Sequence, residues 1–261
     1  MDLNLKKKVA VVTGATKGMG LATVEALLNE GVKVTLVARD KNLLEEIELK
    51  YSNLHKEVQI IKGDVADSSL PKKVIEHTVN KWGKVDILVN NAGGPPMGNF
   101  LEFDDQIWID TFQTNLMSCI RFSKEVVPYM IKNNWGRIIS ITSTLAKEPT
   151  PSMVLSSTIR SGVGSFTKAI SKQLAENNIT ANVVCPGGVL TDRLIELLKN
   201  KSKKDNILLE NLMEQSQMSI PAKRFAQPEE IADTILFLAS ERGGYINGVS
   251  LVVDGSLISS Y

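Results

Sequence analysis

The sequence predicts an α/β fold, in which a doubly wound parallel sheet of about seven strands carries helices on both faces. Two observations support this prediction. Short runs rich in β-branched residues alternate with longer amphipathic segments along the chain. The runs are apolar on both faces, which is typical of parallel strands that helices cover from each side. The alternation therefore indicates a Rossmann-like architecture.

Each predicted strand is a short run, and in order the runs are 9–13 (VAVVT), 33–38 (KVTLVA), 58–62 (VQIIK), 86–90 (DILVN), 137–142 (RIISIT), 180–185 (TANVVC) and 249–253 (VSLVV). Helix-like segments lie between them, for example at 20–29, 68–82, 105–132, 155–176 and 228–240. The segment 155–176 has apolar residues at steps of three or four, namely Ile159, Val163, Phe166, Ile170 and Leu174. Ser156 and Arg160, which are four apart, lie on a neighbouring face of this predicted helix.

The whole chain, 1–261, is expected to form one domain, because 261 residues with 43% hydrophobic content suffice for a single sizeable core. The segment 190–222 breaks the alternation, and its sequence predicts two short helices before Pro221. We expect these helices to form a mobile flap over a pocket at the carboxyl ends of the strands, where such sheets bind ligands. A surface hairpin without this role is the alternative.

Charge and hydropathy exclude several classes of partner. Lys and Arg number 30 against 29 Asp and Glu, and the formal charge of +1 offers no bulk attraction to nucleic acid or to an anionic membrane. No apolar run approaches the roughly 20 residues of a membrane span, and the first residues do not resemble a secretion signal. We therefore expect a cytoplasmic protein.

The cysteines and histidines indicate no metal site. Cys119 and Cys185 lack the spacing of metal ligands and are expected to be reduced core residues. His55 and His77 fall in segments expected to be surface helices, which argues against a metal site or a histidine-based triad.

A glycine-rich stretch, VVTGATKGMG, places Gly14, Gly18 and Gly20 between the first strand and the first helix. Glycines at this turn let the backbone approach a pyrophosphate, whose charge the N–H groups and dipole of the helix N-terminus stabilise. Such a loop is weak evidence alone, but here it opens an alternating β/α chain. The sequence therefore predicts a nucleotide-binding site.

The end of the second strand indicates which nucleotide binds. An acidic residue there would bind the ribose 2′-hydroxyl of NAD, whereas an arginine accommodates the 2′-phosphate of NADP. The chain has Arg39 directly after Ala38, and Lys17 in the glycine loop supplies a second cation. NADP(H) is therefore the expected cofactor. If the strand ends one residue later, Asp40 could bind the ribose instead, which would favour NAD(H).

Taken together, the motifs resemble those of the short-chain dehydrogenase/reductase family over nearly the whole chain. TGATKGMG resembles the family's glycine loop, GDV (63–65) its adenine-contacting segment, NNAG (90–93) its fourth-strand motif and PGGVLT (186–191) the segment that meets the nicotinamide amide. The closing segments resemble those of β-ketoacyl-acyl-carrier-protein reductases. The cofactor contacts implied by this resemblance are Gly14, Thr16, Lys17, Gly18, Met19, Gly20, Arg39, Asp64, Val65, Asn91, Ala92, Gly93, Arg160, Pro186, Gly187, Val189 and Thr191.

The resemblance also implies a catalytic set, of which two members are replaced. The family moves a hydride between nicotinamide and a carbonyl or alcohol carbon, a tyrosine phenol transfers the proton, and a lysine four residues later lowers the pKa of that phenol. A serine orients the substrate oxygen, and an asparagine holds a water in a proton relay. The serine aligns with Ser143 and the asparagine with Asn115. The tyrosine and lysine positions hold Ser156 and Arg160.

No shift of the alignment restores the tyrosine. The tyrosines are Tyr51, Tyr129, Tyr245 and Tyr261, and none lies between the fifth strand and the long helix or has a lysine four residues after it. An aliphatic hydroxyl is a far weaker acid than a phenol, and loss of general acid–base catalysis typically costs about 100- to 10,000-fold in rate. Arginine keeps the positive charge, but its pKa above about 12 prevents proton transfer near neutral pH.

Three functions therefore stay open at the level of the sequence. The first is a working NADP(H) oxidoreductase that reduces a carbonyl, 3-oxoacyl-like or another ketone, with proton donation by an atypical set of groups that can include a bound water or the substrate. The second is a nucleotide-binding sensor, or a partner subunit, without turnover. The third is an enzyme of altered chemistry whose substrate brings its own acid.

Several residues have alternative interpretations. Ser143 could simply cap a turn, and Asn115 could cap or bridge within a helix. Lys147 and Glu148 could approach the substrate, although loop charges are usually solvated. The partners expected are a small-molecule or acyl-thioester substrate and, through the two long helices with apolar faces, further copies of the chain in a homodimer or homotetramer.

Overall fold

The computed structural model describes residues 2–260 and contains a parallel sheet with the order β3-β2-β1-β4-β5-β6-β7. The strands are β1 (Val9–Thr13), β2 (Lys33–Ala38), β3 (Val58–Lys62), β4 (Ile87–Asn90), β5 (Gly136–Ile141), β6 (Ile179–Pro186) and β7 (Ser250–Val253). All seven predicted strands are present, with ends that differ by at most one residue from those predicted. The predicted Rossmann-like fold class is confirmed.

Nine helices connect the strands within the described residues: α1 (Gly18–Asn29), α2 (Lys41–Asn53), α3 (Leu70–Trp82), α4 (Asp105–Phe112), α5 (Ser118–Asn133), α6 (Val154–Leu174), α7 (Asp192–Asp205), α8 (Leu209–Met218) and α9 (Pro228–Ala239). Helix α2 was expected only as a surface helix around His55, without bounds, because its buried stripe is narrow and contains Leu44, Ile47 and Tyr51. His55 was expected within a surface helix, but it lies in the turn after α2.

The central strands are buried on both faces, and this explains their continuous apolar sequence. In β1, Ala10 and Val12 belong to the cluster that includes residues of α1 and α9. The residue between them, Val11, faces the opposite side and packs with residues of α3 and α5. Helices therefore cover both faces of the sheet, as the sequence pattern predicts.

The segment predicted as one helix, 105–132, consists of two helices joined by a π-helical turn. Helix α4 ends at Phe112, the turn covers Gln113–Met117, and α5 begins at Ser118. A π turn inserts an extra residue into a helix, and such turns are frequent at functional sites. This one contains Asn115, a predicted catalytic residue.

Strands β2 and β3 follow β1 on one side of the sheet, and β4 to β7 follow it on the other side. The strand order therefore reverses between β1 and β4, which are adjacent and parallel. In a doubly wound sheet this switch point opens a crevice at the carboxyl ends of the strands. The glycine loop follows β1 and the NNAG motif ends just after β4, and both therefore lie at this crevice.

Helices α7 and α8 are the two short helices predicted between 190 and 222. They pack around a small apolar cluster of their own, which contains Leu198, Leu212, Ile220 and Phe225. The Leu190 N–H donates to the Ala226 carbonyl oxygen and the Ala226 N–H donates to the Gly188 carbonyl oxygen, and these bonds join the start of this unit to the segment that follows it.

Candidate active site

The glycine loop requires glycine at two positions for different reasons. Gly14 has a φ of +58°, a left-handed conformation that other residues adopt at a cost. A side chain on Gly20 would collide with the Gly14 carbonyl oxygen and would stand 2.6 Å from Asn91 Nδ2. Asn91 Nδ2 itself donates to the Gly14 carbonyl oxygen at 3.1 Å. The loop is therefore folded tightly against the end of β4.

This close packing predicts a clear difference between two glycine-to-alanine variants in helices. Gly20→Ala should lower the free energy of unfolding by about 1–3 kcal/mol, since the methyl group must displace backbone atoms. Gly164→Ala in α6 is the matched control, because its methyl group would lie 3.6 Å from Ser250 Oγ, an ordinary contact. It should be neutral or stabilising by up to about 1 kcal/mol. Denaturant unfolding of both variants tests this difference, and equal effects would contradict the packing described.

The first turn of α1 is suited to a phosphate group. The N-cap residue, Lys17, makes no side-chain hydrogen bond to this turn, so that the N–H groups after it have no capping side chain. Thr16, Lys17 and Met19 lie in the loop and the first turn. A side chain on Gly18 would lie 3.1 Å from Thr191 Cγ2, which places the loop directly beside the segment after β6.

The residues after β2 resolve the choice between Arg39 and Asp40. The strand ends at Ala38, and the Asp40 carboxylate accepts from the N–H groups of Asn42 and Leu43 as the N-cap of α2. The Arg39 side chain is 79% exposed, and its Nη1 lies 3.8 Å from Asp64 Oδ2. The alternative in which Asp40 binds the ribose is therefore not favoured, because its carboxylate is already occupied.

The residues after β3 and β4 lie along the same crevice. Asp64 accepts from the N–H of Ala66, and Val65 is partly buried against the α3–α5 cluster. The Asn91 N–H donates to Thr13 Oγ1 at 2.9 Å, and that hydroxyl donates to the Asn91 carbonyl oxygen at 2.8 Å. This pair of bonds fixes the ends of β1 and β4 together. Ala92 and Gly93 follow. Gly93 is exposed, and a methyl group placed on it would meet no atom within 4 Å.

Ser143 follows β5, the strand next to β4, and Asn115 lies in the π turn between α4 and α5. Ser143 caps a short 3-10 turn, and its Oγ accepts from the Leu145 N–H at 3.3 Å. The turn-capping interpretation of Ser143 is thus correct, yet the hydroxyl hydrogen is not used by this bond and can be donated to a ligand. Asn115 is buried, and its carbonyl oxygen accepts from Cys119 Sγ at 3.3 Å.

Ser156 is completely buried in the first turn of α6. Its relative exposure is 0%, and its Oγ has no hydrogen-bond partner among residues 2–260. The neighbouring Ser157 is also buried with an unpaired hydroxyl. No hydrogen bond joins Ser156 to Ser143 or Asn115 in the described part of the chain. A buried hydroxyl without a partner costs free energy, and the first turn of α6 has two of them.

Arg160 lies one turn further along α6 and is partly buried. Burial lowers the pKa of its guanidinium to about 10, and the positive charge of Arg193 acts in the same direction. A group with a pKa of about 10 stays protonated at neutral pH. Arg160 therefore provides a fixed positive charge and hydrogen-bond donors, but it is not a proton donor for turnover at pH 7.

Arg193 is a site residue that the sequence analysis missed. It lies in the first turn of α7, two residues after Thr191, and its Nη2 donates to the Pro95 carbonyl oxygen at 2.9 Å. This bond connects α7 to the loop after β4. The sequence does show a cation two residues after the PGGVLT motif. The direction in which the Arg193 side chain extends depends on the placement of α7, which the sequence pattern does not give.

The segment after β6 completes the crevice. Pro186 ends the strand, and a side chain on Gly187 would stand 2.7 Å from Asp254 Cβ. Val189 is buried and pairs with Ala226 as an isolated bridge. Thr191 is the N-cap of α7, where its Oγ1 accepts from the Leu194 N–H at 3.3 Å.

Two charged loop residues have different surroundings. The Glu148 carboxylate accepts from the backbone N–H groups of Ser259 and Ser260, so that it anchors the segment near the end of the chain. Lys147 is near Cys185, and its charge acts to lower the pKa of that thiol. Burial has the larger effect and raises the pKa of Cys185.

The cysteines are both buried and unpaired, as expected for reduced core residues. Burial raises the pKa of the Cys119 thiol to about 11, which keeps it protonated. Among residues 2–260, no three His, Cys, Asp or Glu side chains gather in a way that could hold a metal ion. None of the helices in that range is long and apolar enough to cross a membrane.

Comparison with known proteins finds relatives that match nearly the whole chain. Residues 8–202 match the family described as short chain dehydrogenase. A 3-oxoacyl-[acyl-carrier-protein] reductase of Haemophilus influenzae is 34% identical over 256 residues, which cover 98% of this chain and 100% of that protein. L-Sorbose reductase from Gluconobacter frateurii, solved with NADPH and L-sorbose, superposes with a TM-score of 0.95 at 31% identity, and both chains are covered in full. A variant of actinorhodin polyketide ketoreductase with NADPH has a TM-score of 0.92 at 32% identity, with 96% of this chain and 97% of that chain covered.

Proposed function

The chain belongs to the short-chain dehydrogenase family, and on this basis we propose that it is an NADP(H)-dependent oxidoreductase that reduces a carbonyl group. A 3-oxoacyl-like substrate or another ketone is proposed, because the relatives and similar structures include a 3-oxoacyl-[acyl-carrier-protein] reductase and a polyketide ketoreductase. Two of the similar structures contain NADPH, which supports the choice of cofactor.

The observation that carries the cofactor proposal is the arrangement at the end of β2. Arg39 is exposed beside the crevice, whereas the Asp40 carboxylate is occupied by the backbone of α2. A 2′-phosphate would find a guanidinium at this position, and Lys17 in the glycine loop provides a further cation. NADP(H) is therefore favoured over NAD(H).

The residues present fit a dinucleotide. The tight glycine loop and the first turn of α1 would bind the pyrophosphate, Asp64 and Val65 would lie at the adenine, and Asn91 to Gly93 would follow the ribose. Pro186 to Thr191 would contact the nicotinamide end. When bound, NADPH supplies a hydride.

The chain's own groups would orient and polarise the substrate carbonyl. The Ser143 hydroxyl would donate to the substrate oxygen, and Arg160 would add a fixed positive charge. Asn115 in the π turn would hold a water. The proton would come from that water or from the substrate, since Arg160 stays protonated and Ser156 is a weak acid.

Two further features belong to this proposal. Helices α7 and α8 would act as the substrate flap of a single-domain enzyme, because their separate apolar cluster allows them to move together. Self-association into a homodimer or homotetramer would cover the exposed apolar side chains before and within α4, which include Phe100, Leu101 and Ile109.

A second candidate function is a nucleotide-binding sensor or partner subunit without turnover. The observation that favours it is the burial of Ser156, whose hydroxyl has no partner among the described residues. Such a hydroxyl cannot donate to a substrate unless the first turn of α6 rearranges. The two functions share the cofactor site and differ in hydride transfer.

The cofactor proposal is tested by titrating the protein with NADPH and with NADH, and the fluorescence of the cofactor reports binding. Arg39→Ala should raise the Kd for NADPH by about 10- to 100-fold, because a charge-assisted contact to the 2′-phosphate is lost, and should leave the Kd for NADH unchanged. Arg242→Ala is the matched control, since Arg242 contacts the backbone of Asp2. Tighter binding of NADH than NADPH, unaffected by Arg39→Ala, would refute the assignment.

A further inference from the structure

Two guanidinium groups converge at one point of the crevice. A methyl group placed on Gly94 would lie 3.8 Å from Arg160 Nη2 and 3.7 Å from Arg193 Nε. The two arginines come from different elements, α6 and α7, and Gly94 belongs to the loop after β4. Arg160 is partly buried, Gly94 is exposed and the Arg193 side chain is 40% exposed. Like charges repel, and an anion between them would offset this repulsion.

Among the described residues, a carboxylate pairs with one of these two arginines and not with the other. No hydrogen bond or ion pair connects the Arg160 guanidinium to any other residue between 2 and 260. Arg193 pairs only with Glu196, one turn further along α7, at 3.3 Å and on an exposed side. The Glu148 carboxylate is occupied by the backbone of Ser259 and Ser260. The Arg160 charge is therefore left without an ion-pair partner in the described part of the chain.

The position of Arg160 places this charge on the substrate side of the crevice. Arg160 is close enough to the thiols of Cys119 and Cys185 to influence the pKa of each. Cys119 lies one helical turn after Asn115, and Cys185 is in hydrogen-bond contact, at 3.3 Å, with Thr142, the residue before Ser143.

Starting from the proposed function, we propose that Arg160 and Arg193 together bind an anionic oxygen group of the substrate, and that this group is a carboxylate beside the backbone of Gly94. Two guanidiniums present several N–H donors to two carboxylate oxygens. Gly94 has no side chain to occupy this space. The preferred substrate is therefore an oxo acid, and the Ser143 hydroxyl meets its carbonyl oxygen.

The test compares two probes that differ in charge, acetoacetate and its methyl ester. Each is titrated by calorimetry into the full chain saturated with NADP⁺, which cannot reduce them. The wild type should bind acetoacetate about 10- to 100-fold more tightly than the ester, as expected for charge-assisted hydrogen bonds. Arg193→Gln should remove this preference and leave the Kd for NADP⁺ unchanged. Arg193→Lys should keep part of the preference, and Arg242→Gln should keep all of it.

Two results would overturn the proposal. The first is equal binding of the acid and the ester by the wild type. The second is a loss of NADP⁺ affinity of tenfold or more in Arg193→Gln with an unchanged preference for the acid, which would mean that the arginine serves the cofactor pyrophosphate. If NADP⁺ fails to bind the wild type, the cofactor proposal is wrong. The same titrations without cofactor then test the substrate inference. A tenfold preference for the acid supports this inference, and equal binding of acid and ester refutes it.

Discussion

Replacing Ser156 by tyrosine together with Arg160 by lysine should raise kcat for ketone reduction with NADPH by about 100- to 10,000-fold, the range typical of a general acid. A phenol has a pKa near 10, which an adjacent ammonium group lowers towards neutrality. Neither native group has this property. The Ser156 hydroxyl is buried without a partner among the described residues, and Arg160 keeps its proton with a pKa of about 10.

The controls separate the chemistry from the packing. Ser157→Tyr with Arg160→Lys adds a phenol to a neighbouring buried position and should give no gain in rate. Because position 156 is completely buried, Ser156→Tyr can cost about 1–3 kcal/mol of stability, and thermal unfolding should accompany the kinetics. A folded double variant that binds NADPH as the wild type does, without any gain in rate, would show that the absent phenol does not limit this protein.

The fold was predictable because buried parallel strands have a simple sequence pattern. The continuous apolar runs at 9–13 and 33–38 coincide with β1 and β2, since alternate residues pack on opposite faces. The bounds of helix α2 were not predicted, because its polar sequence buries only three side chains. The π turn at Gln113–Met117 was missed because a single inserted residue hardly disturbs the apolar period of the helices around it.

The candidate site was predictable where residues follow the ends of strands. Topology alone brings Gly14 and Asn91 to one crevice, since both follow strands that are adjacent at the switch point. The burial of Ser156 and the convergence of Arg193 on Gly94 were not predictable. Both depend on how α6 and α7 are tilted towards the sheet, and tilt is a property of tertiary packing that a local pattern does not contain.

Ser143→Ala should reduce hydride transfer at least about 100-fold, with an unchanged Kd for NADPH. Ser143 is the hydroxyl positioned at the end of β5 with its hydrogen free, and loss of one donor to a developing oxyanion typically costs about 100- to 1,000-fold in kcat. Ser157→Ala is the matched control, because the Ser157 hydroxyl is also buried and unpaired among the described residues, but it lies on α6 and not at the end of β5. A Ser143→Ala variant with the wild-type rate would remove Ser143 from the proposed catalytic set.

The most direct test of the whole account is deuterium transfer from NADPH labelled at the reactive carbon of the nicotinamide. The wild-type chain is mixed with the labelled cofactor and a panel of ketones, oxo acids and acyl thioesters, and the alcohol products are analysed by mass spectrometry. We expect deuterium on the carbinol carbon of at least one product, at a rate that falls in Ser143→Ala. Tight NADPH binding with no label in any product, in the wild type and in Ser156→Tyr with Arg160→Lys alike, would contradict the account and identify the chain as a nucleotide-binding protein without turnover.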